Sequence, residues 1–202
     1  MISTENNNKN RDYMPKQIGS FILPNNIISN MKDKIKETRK LKIELGFALC
    51  TEKDSNIITK GPECTGTKCS IKAGVCKKGD TQIGNYHTHP RTDATMSITD
   101  MVTGCSEKVQ CIGSTRLNNV ICFSRKTDEY QCLKDTSSFE EEEHKILEKG
   151  SKIREILDSP RSIIKTGIYS TLKELKQYDD IVFKYNANRV KLLHRHFDRI
   201  SI

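Results

Sequence analysis

The 202-residue chain contains no tryptophan, and its aromatic residues amount to only 6%. With 35% hydrophobic against 30% charged residues, it is lean in core material. One compact body with some exposed, elongated structure is expected, although the apolar content stays above that of a disordered chain. Long hydrophobic runs are also missing. The longest, such as Phe47 to Cys50 and Ile181 to Phe183, are a few residues, where a bilayer span needs about 20. The opening stretch, Met1 to Gln17, is polar where a secretory signal carries its apolar core. A soluble, cytoplasmic protein is therefore expected, with no membrane partner. Long basic runs are absent too. The net charge of +8 comes from 34 Lys and Arg against 26 Asp and Glu, and these are scattered without interleaved aromatics, so nucleic acid is an unlikely partner on sequence grounds.

What the chain does have in number is cysteine: 50, 64, 69, 76, 105, 111, 122 and 132. Without a secretory signal, reduced thiols or metal ligands are the default, with hyperthermophile cytosol the recognised exception. The redox state stays open at this level.

The length suits one good-sized domain and an appendage. Residues 1–17 form a polar lead-in, and Ile18 to Leu23 a short strand stopped by Pro24. From Asn26, Ile27, Ile28, Met31 and Ile35 recur at helical steps, with Asn25 or Asn26 as cap. Leu41 to Leu49 alternates with period two, placing Leu41, Ile43, Leu45, Phe47 and Leu49 on one face of a strand. Lys42, Glu44, Gly46 and Ala48 fall on the other. That second face sets a carboxylate beside two very small residues, which leaves room above the strand. Residues 61–80 read as a loop rich in Gly, Lys and Cys. Thr81 to His89 is a strand ended by Pro90. A helix follows from Ser97 to about Lys108, and then strands at Val109–Ser114 and Asn118–Ser124. Ser138 to Glu141 reads as a capping box opening a helix to about Leu157, broken at Ser159-Pro160. A second helix would carry Ile164, Ile168, Leu172 and Leu175, and a third Val190, Leu193, Phe197 and Ile200. The fold class is thus α/β in the α+β sense: a mixed β-sheet with helices in residues 18–135, then a helical extension over 136–202.

The segment that carries chemistry runs from Gly84 through His87, His89 and Pro90 to Ser97 and Asp100. Two residues apart on a strand, His87 and His89 point the same way, so they can share a metal ion at about 2.0–2.1 Å each. Asp100, in the first turn of the next helix, can fold back towards them. Two imidazole nitrogens and one carboxylate leave a tetrahedral Zn2+ one open position, the catalytic arrangement rather than the structural one. Zinc brings the pKa of a water towards about 7, and a base must still move its proton. Glu44 is the upstream carboxylate whose strand setting suits that task. Each residue has an ordinary alternative as well. An isolated HxH is a weak signal, Ser97 and Asp100 make a sensible helix cap, and Glu44 fits an exposed strand position.

His87-x-His89, seven residues, Ser97, two residues and Asp100, with Glu44 in an upstream Glu-x-Gly-Phe strand, resembles the JAMM motif of the JAB/MPN metalloprotease family. The order of elements over residues 18–125 is similar too. The resemblance implies an MPN-type domain with His87, His89 and Asp100 as zinc ligands and Glu44 as general acid/base. It also implies that Ser97 steadies the oxyanion of a tetrahedral intermediate. Members of that family commonly hydrolyse isopeptide or peptide bonds after the C-terminal glycine of ubiquitin or a ubiquitin-like modifier. Others have lost the ligands and act as scaffolds.

Cys64, Cys69 and Cys76, with Cys50 or another cysteine as fourth member, offer either a second metal site or a disulfide-stapled loop. Because the loop also carries Lys60, Lys68, Lys72, Lys77 and Lys78, it is a candidate substrate-facing element. Cys105, Cys111, Cys122 and Cys132 read as plain buried thiols. The helical extension offers apolar stripes for homo- or hetero-oligomerisation. His194 and His196 have the wrong spacing to share a helix face and read as surface residues.

Overall fold

The computed structural model describes residues 14–65, 76–90, 94–158 and 168–202, and these form two units. The first comprises the chain up to Met96, Ser106–Lys126 and Phe197–Ile202; the second comprises Ser97–Cys105 and Thr127–His196. The mixed α/β class read from the sequence is the class observed.

In the first unit, β1 (Lys16–Ile18) and β2 (Phe21–Leu23) make a hairpin, and α1 (Asn25–Leu41) follows. Six further strands form one sheet: β3 (Leu45–Thr51), β4 (Ile58–Thr65), β5 (Thr81–His89), β6 (Val109–Ser114), β7 (Asn119–Arg125) and β8 (Phe197–Ser201). Their order is β4-β3-β5-β6-β7-β8. Every pair is antiparallel except β5 with β6, whose parallel register requires the crossover through residues 90–108. Ile27, Ile28, Met31 and Ile35 are the buried stripe of α1, clustered with Phe47, Leu49, Tyr86, Val109 and Val120 of the sheet. Each such side chain stabilises the fold by about 1.5–3 kcal/mol.

Two buried polar side chains, Tyr86 and Thr88, find partners inside this layer. Tyr86 is fully buried and donates its hydroxyl to the Met31 carbonyl at 2.6 Å, and burial pushes its pKa up. Thr88, also fully buried, has one proton to give and two lone pairs to offer. It donates to the Leu45 carbonyl at 3.1 Å, accepts from the Leu45 N–H at 2.9 Å, and meets the Thr38 hydroxyl at 2.6 Å. A side chain thus holds the start of β3 where it enters the sheet.

Gly84 is required where it stands. A Cβ there would lie 1.6 Å from the Val109 carbonyl oxygen, in the first pair of the β5–β6 register. Gly84→Ala must push the two strands apart, and is expected to cost about 3 kcal/mol of unfolding free energy by urea denaturation. A change below about 0.5 kcal/mol would mean that the strands do not approach this closely.

In the second unit are α2 (Ile98–Ser106), α3 (Glu129–Asp158) and α4 (Ile168–His196). The Cys105–Cys132 disulfide joins α2 to α3. Between α3 and α4, Phe139 and Tyr185 meet at 6.1 Å between ring centres, and Tyr178 lies over Gly150, where a Cβ would come 2.4 Å from its hydroxyl. His196 ends α4 fully buried, its Nε2 3.1 Å from Asp135 and its Nδ1 2.7 Å from the Thr127 hydroxyl. Burial alone would raise the Asp135 pKa, but hydrogen bonds from Arg195 and His196 outweigh it and bring it down.

Several sequence expectations are corrected. Helix α1 runs through Leu41, which is exposed, and closes at Lys42 in the left-handed region, with the Lys42 N–H on the Thr38 carbonyl. The strand therefore starts at Leu45, not Leu41. The expected loop at 61–80 begins as a strand: β4 is an edge strand, which tolerates Pro62. Helix α3 starts nine residues before Ser138, because Asp128 accepts the Gln131 N–H at 2.9 Å as the cap, while the Ser138 hydroxyl donates to the Lys134 carbonyl. The expected break at Ser159-Pro160 and Ile164 lie outside the described residues.

Phe197 and Ile200 belong to no third helix. They lie in β8, which pairs with the side of β7 that β6 leaves open, and Phe197 is buried. His196 is a buried, hydrogen-bonded residue rather than a surface one. Cys105, Cys111, Cys122 and Cys132 are not thiols: Cys105 bonds Cys132 and Cys111 bonds Cys122, the latter pair directly opposite each other in the β6–β7 register.

Candidate metal centre

Strand β5 has the bounds expected from the sequence, and its alternation sorts its side chains. Tyr86 and Thr88 turn to α1, so Asn85, His87 and His89 take the other face. His87 is buried and His89 half-buried. Their Nε2 atoms lie 3.2 Å apart, with the ring centres at 5.0 Å. Across the β3–β5 ladder Gly46 faces His87. A Cβ at Gly46 would lie 2.2 Å from the Tyr86 carbonyl oxygen and 3.1 Å from the His87 Cα. The small residue in Glu-x-Gly-Phe is thus a condition for the strands to meet beside the histidine.

Glu44 sits one residue before β3, half-buried. It precedes Gly46, the partner of His87 in the β3–β5 register, by two residues. The carboxylate that the sequence singled out is placed at the histidine end of the strand pair.

Ser97 and Asp100 form a reciprocal cap at the start of α2. The Ser97 N–H donates to Asp100 Oδ2 at 2.8 Å and the Ser97 hydroxyl to the same oxygen at 2.7 Å, while the Asp100 N–H donates to the Ser97 Oγ at 3.1 Å. This is the capping-box pattern with aspartate at its third helical position. It holds the Asp100 carboxylate in one orientation. The single Ser97 hydroxyl proton is directed at Asp100 in this state.

One ligand atom from each of His87, His89 and Asp100 lies within 4.8 Å of the other two, a group able to hold a metal ion. The donors suit zinc: a tetrahedron with arms of 2.0–2.1 Å has an edge of about 3.3–3.4 Å, and the two Nε2 atoms stand at 3.2 Å.

The cysteine alternatives divide differently. Cys76 is bonded to Cys50, which removes both as ligands of a second metal and makes this part of the loop a disulfide feature. Cys64 lies half-buried on β4, and Cys69 falls outside the described residues. Sequence reasoning missed one residue that touches the site, Asn85, and the carboxylate that Asn85 in turn contacts, Glu107. The Asn85 Oδ1 lies 3.0 Å from the His87 Nδ1, and the Asn85 Nδ2 lies 2.9 and 2.8 Å from the two Glu107 oxygens. Asn85 could have been noticed by its period-two spacing from His87. Glu107 is 22 residues away from Asn85 in the chain, and nothing local marks it.

No helix among the described residues is long and apolar enough to cross a membrane. No family model and no curated protein matches the chain. Among solved structures it is similar to a JAB1/MPN domain protein from Archaeoglobus fulgidus, at 18% identity and a TM-score of 0.33, over 49% of this chain and 85% of that one. What the site can do follows from its own donors and their geometry.

Proposed function

We propose that the chain is a zinc-dependent protease of the JAMM type, hydrolysing an isopeptide or peptide bond next to the C-terminus of a ubiquitin-like modifier. The observation that carries this reading is the pair of imidazole Nε2 atoms held 3.2 Å apart, with the Asp100 carboxylate as third donor. His87, His89 and Asp100 would hold the ion. Bound there, zinc supplies Lewis acidity towards a carbonyl oxygen and lowers the pKa of a water to about 7.

The remaining steps belong to the protein. Glu44 takes the proton of the attacking water and returns it to the leaving amine. Ser97 holds Asp100 in orientation and, once its hydroxyl turns from that carboxylate, donates to the developing oxyanion. The substrate class comes from the resemblance of the His87, His89, Ser97, Asp100 and Glu44 pattern to JAB/MPN proteases.

Elemental analysis tests the metal. The wild-type protein should carry about one zinc per chain and His87→Ala/His89→Ala none, with chelation abolishing hydrolysis of a ubiquitin-like conjugate. Wild-type protein without zinc after reconstitution would remove the protease reading.

A second reading, a non-catalytic assembly module, is favoured by one observation. Tyr130 and Leu147 on α3, and Leu172, Phe183 and Val190 on α4, are all exposed. Zinc bound, no hydrolysis across a conjugate panel, and self-association in sedimentation would be its signature.

A further inference from the structure

The pair formed by buried Asn85 and half-buried Glu107 has no part in the steps above, yet it bears on which nitrogen of His87 can serve as a ligand. A carboxylate only accepts hydrogen bonds. Both Glu107 oxygens lie within 2.9 Å of the Asn85 amide nitrogen, so that atom must be the NH2. Turning the amide over would set its carbonyl oxygen against two carboxylate oxygens. The Asn85 oxygen is therefore the atom 3.0 Å from the His87 Nδ1. As an acceptor it requires that Nδ1 carry the proton. A neutral imidazole protonated at Nδ1 has its lone pair on Nε2, the atom facing His89.

The chain of reasoning runs one way, from a charged group to an amide to a ring. All three residues belong to the first unit. Asn85 is 5% and His87 6% exposed, so water competes little for these bonds. The Lys108 N–H on the Ile83 carbonyl at 2.8 Å anchors the backbone beside Glu107 to β5. Outer hydrogen bonds of this kind orient a metal-binding histidine and raise its basicity, and their loss typically costs about 10–100-fold in metal affinity.

We propose that Glu107 and Asn85 are positioning residues that lock His87 as the Nδ1–H tautomer and so present its Nε2 as a metal ligand. This rests on the zinc reading for its purpose, but the tautomer itself does not depend on zinc.

Two measurements test it. In metal-free protein, 15N-edited NMR of the imidazole should show His87 protonated at Nδ1. In Asn85→Leu the ring should become a tautomer mixture. Zinc affinity, measured by competition with a chromophoric chelator, should fall about 10–100-fold in Asn85→Leu. The fall should be smaller in Glu107→Gln, whose amide can satisfy Asn85 in either orientation.

The double variant Asn85→Asp/Glu107→Gln restores an acceptor facing Nδ1 and a donor facing position 85. It should regain the wild-type tautomer and an affinity within a few-fold of wild type. A loss of packing alone would not be repaired by that exchange. Wild-type tautomer and affinity in Asn85→Leu would overturn the proposal. Wild-type protein that binds no zinc would instead overturn the metal reading, while the NMR result would still decide the tautomer.

Discussion

Glu44→Gln is expected to leave the fold and about one zinc per chain in place while lowering turnover by ~10²–10⁴-fold, the usual contribution of a positioned general base. Glutamine keeps the size and hydrogen-bonding capacity of the side chain but cannot take a proton at neutral pH. The position supports the assignment: Glu44 precedes β3 directly, and the start of that strand is held by both Leu45 backbone groups on the Thr88 hydroxyl. Because Thr88 lies between the two histidines in sequence, the strand segment that carries His87 and His89 also anchors the residue next to Glu44. The check pairs single-turnover hydrolysis of a ubiquitin-like conjugate with metal analysis of the same sample. Full activity would remove Glu44 from the chemistry. Loss of both zinc and activity would mean that the carboxylate acts on the metal site rather than on a proton.

Reduction of the disulfides is expected to have the largest effect on stability. Cys50–Cys76, Cys105–Cys132 and Cys111–Cys122 close separations of 26, 27 and 11 residues. By loop entropy each is worth about 3 kcal/mol. Together, about 9 kcal/mol is comparable to the whole stability of an ordinary domain, about 5–15 kcal/mol. The midpoint of thermal unfolding should fall by ~20 °C or more when a phosphine reductant is added, read by calorimetry.

Disulfides of this number persist in oxidising compartments and in hyperthermophile cytosol, so the redox state that the sequence left open is decided, for these six cysteines, by the pairing in the fold. Alkylation followed by intact-mass measurement gives the independent check. If protein purified without reductant exposes those six cysteines as thiols, the pairing is wrong. Cys105–Cys132 has a further consequence. It ties α2, whose first turn holds Asp100, to α3, so its loss should loosen the Ser97–Asp100 cap and weaken metal binding as well.

The parts of the site that were legible in the sequence are those decided by local geometry. That His87 and His89 share a face follows from the two-residue period of any strand, and β5 has the ends that Thr81 and Pro90 suggested. The Ser97–Asp100 relation is a capping box, complete within four residues. Where local signals competed, reading from pattern failed. Leu41 to Leu49 alternates like a strand, yet the first residue ends a helix because Lys42 accepts the left-handed closing turn. Phe197 and Ile200 match a helical step, yet the open edge of β7 makes them a strand.

The sequence by itself thus determined the candidate donor set, its order along the chain and the mixed α/β class, since period, caps and turn residues act over a few positions. Only the tertiary structure decided which cysteines bond, where the last five-residue strand returns to the sheet, and which carboxylate stands behind His87. Eight cysteines allow about 105 full pairings, and a contact such as Glu107 to Asn85 spans 22 residues. Such contacts form only when the β5–β6 crossover closes and strands from distant parts of the chain share one ladder. Their partners are therefore chosen by the packing of the whole unit rather than by neighbours in the chain.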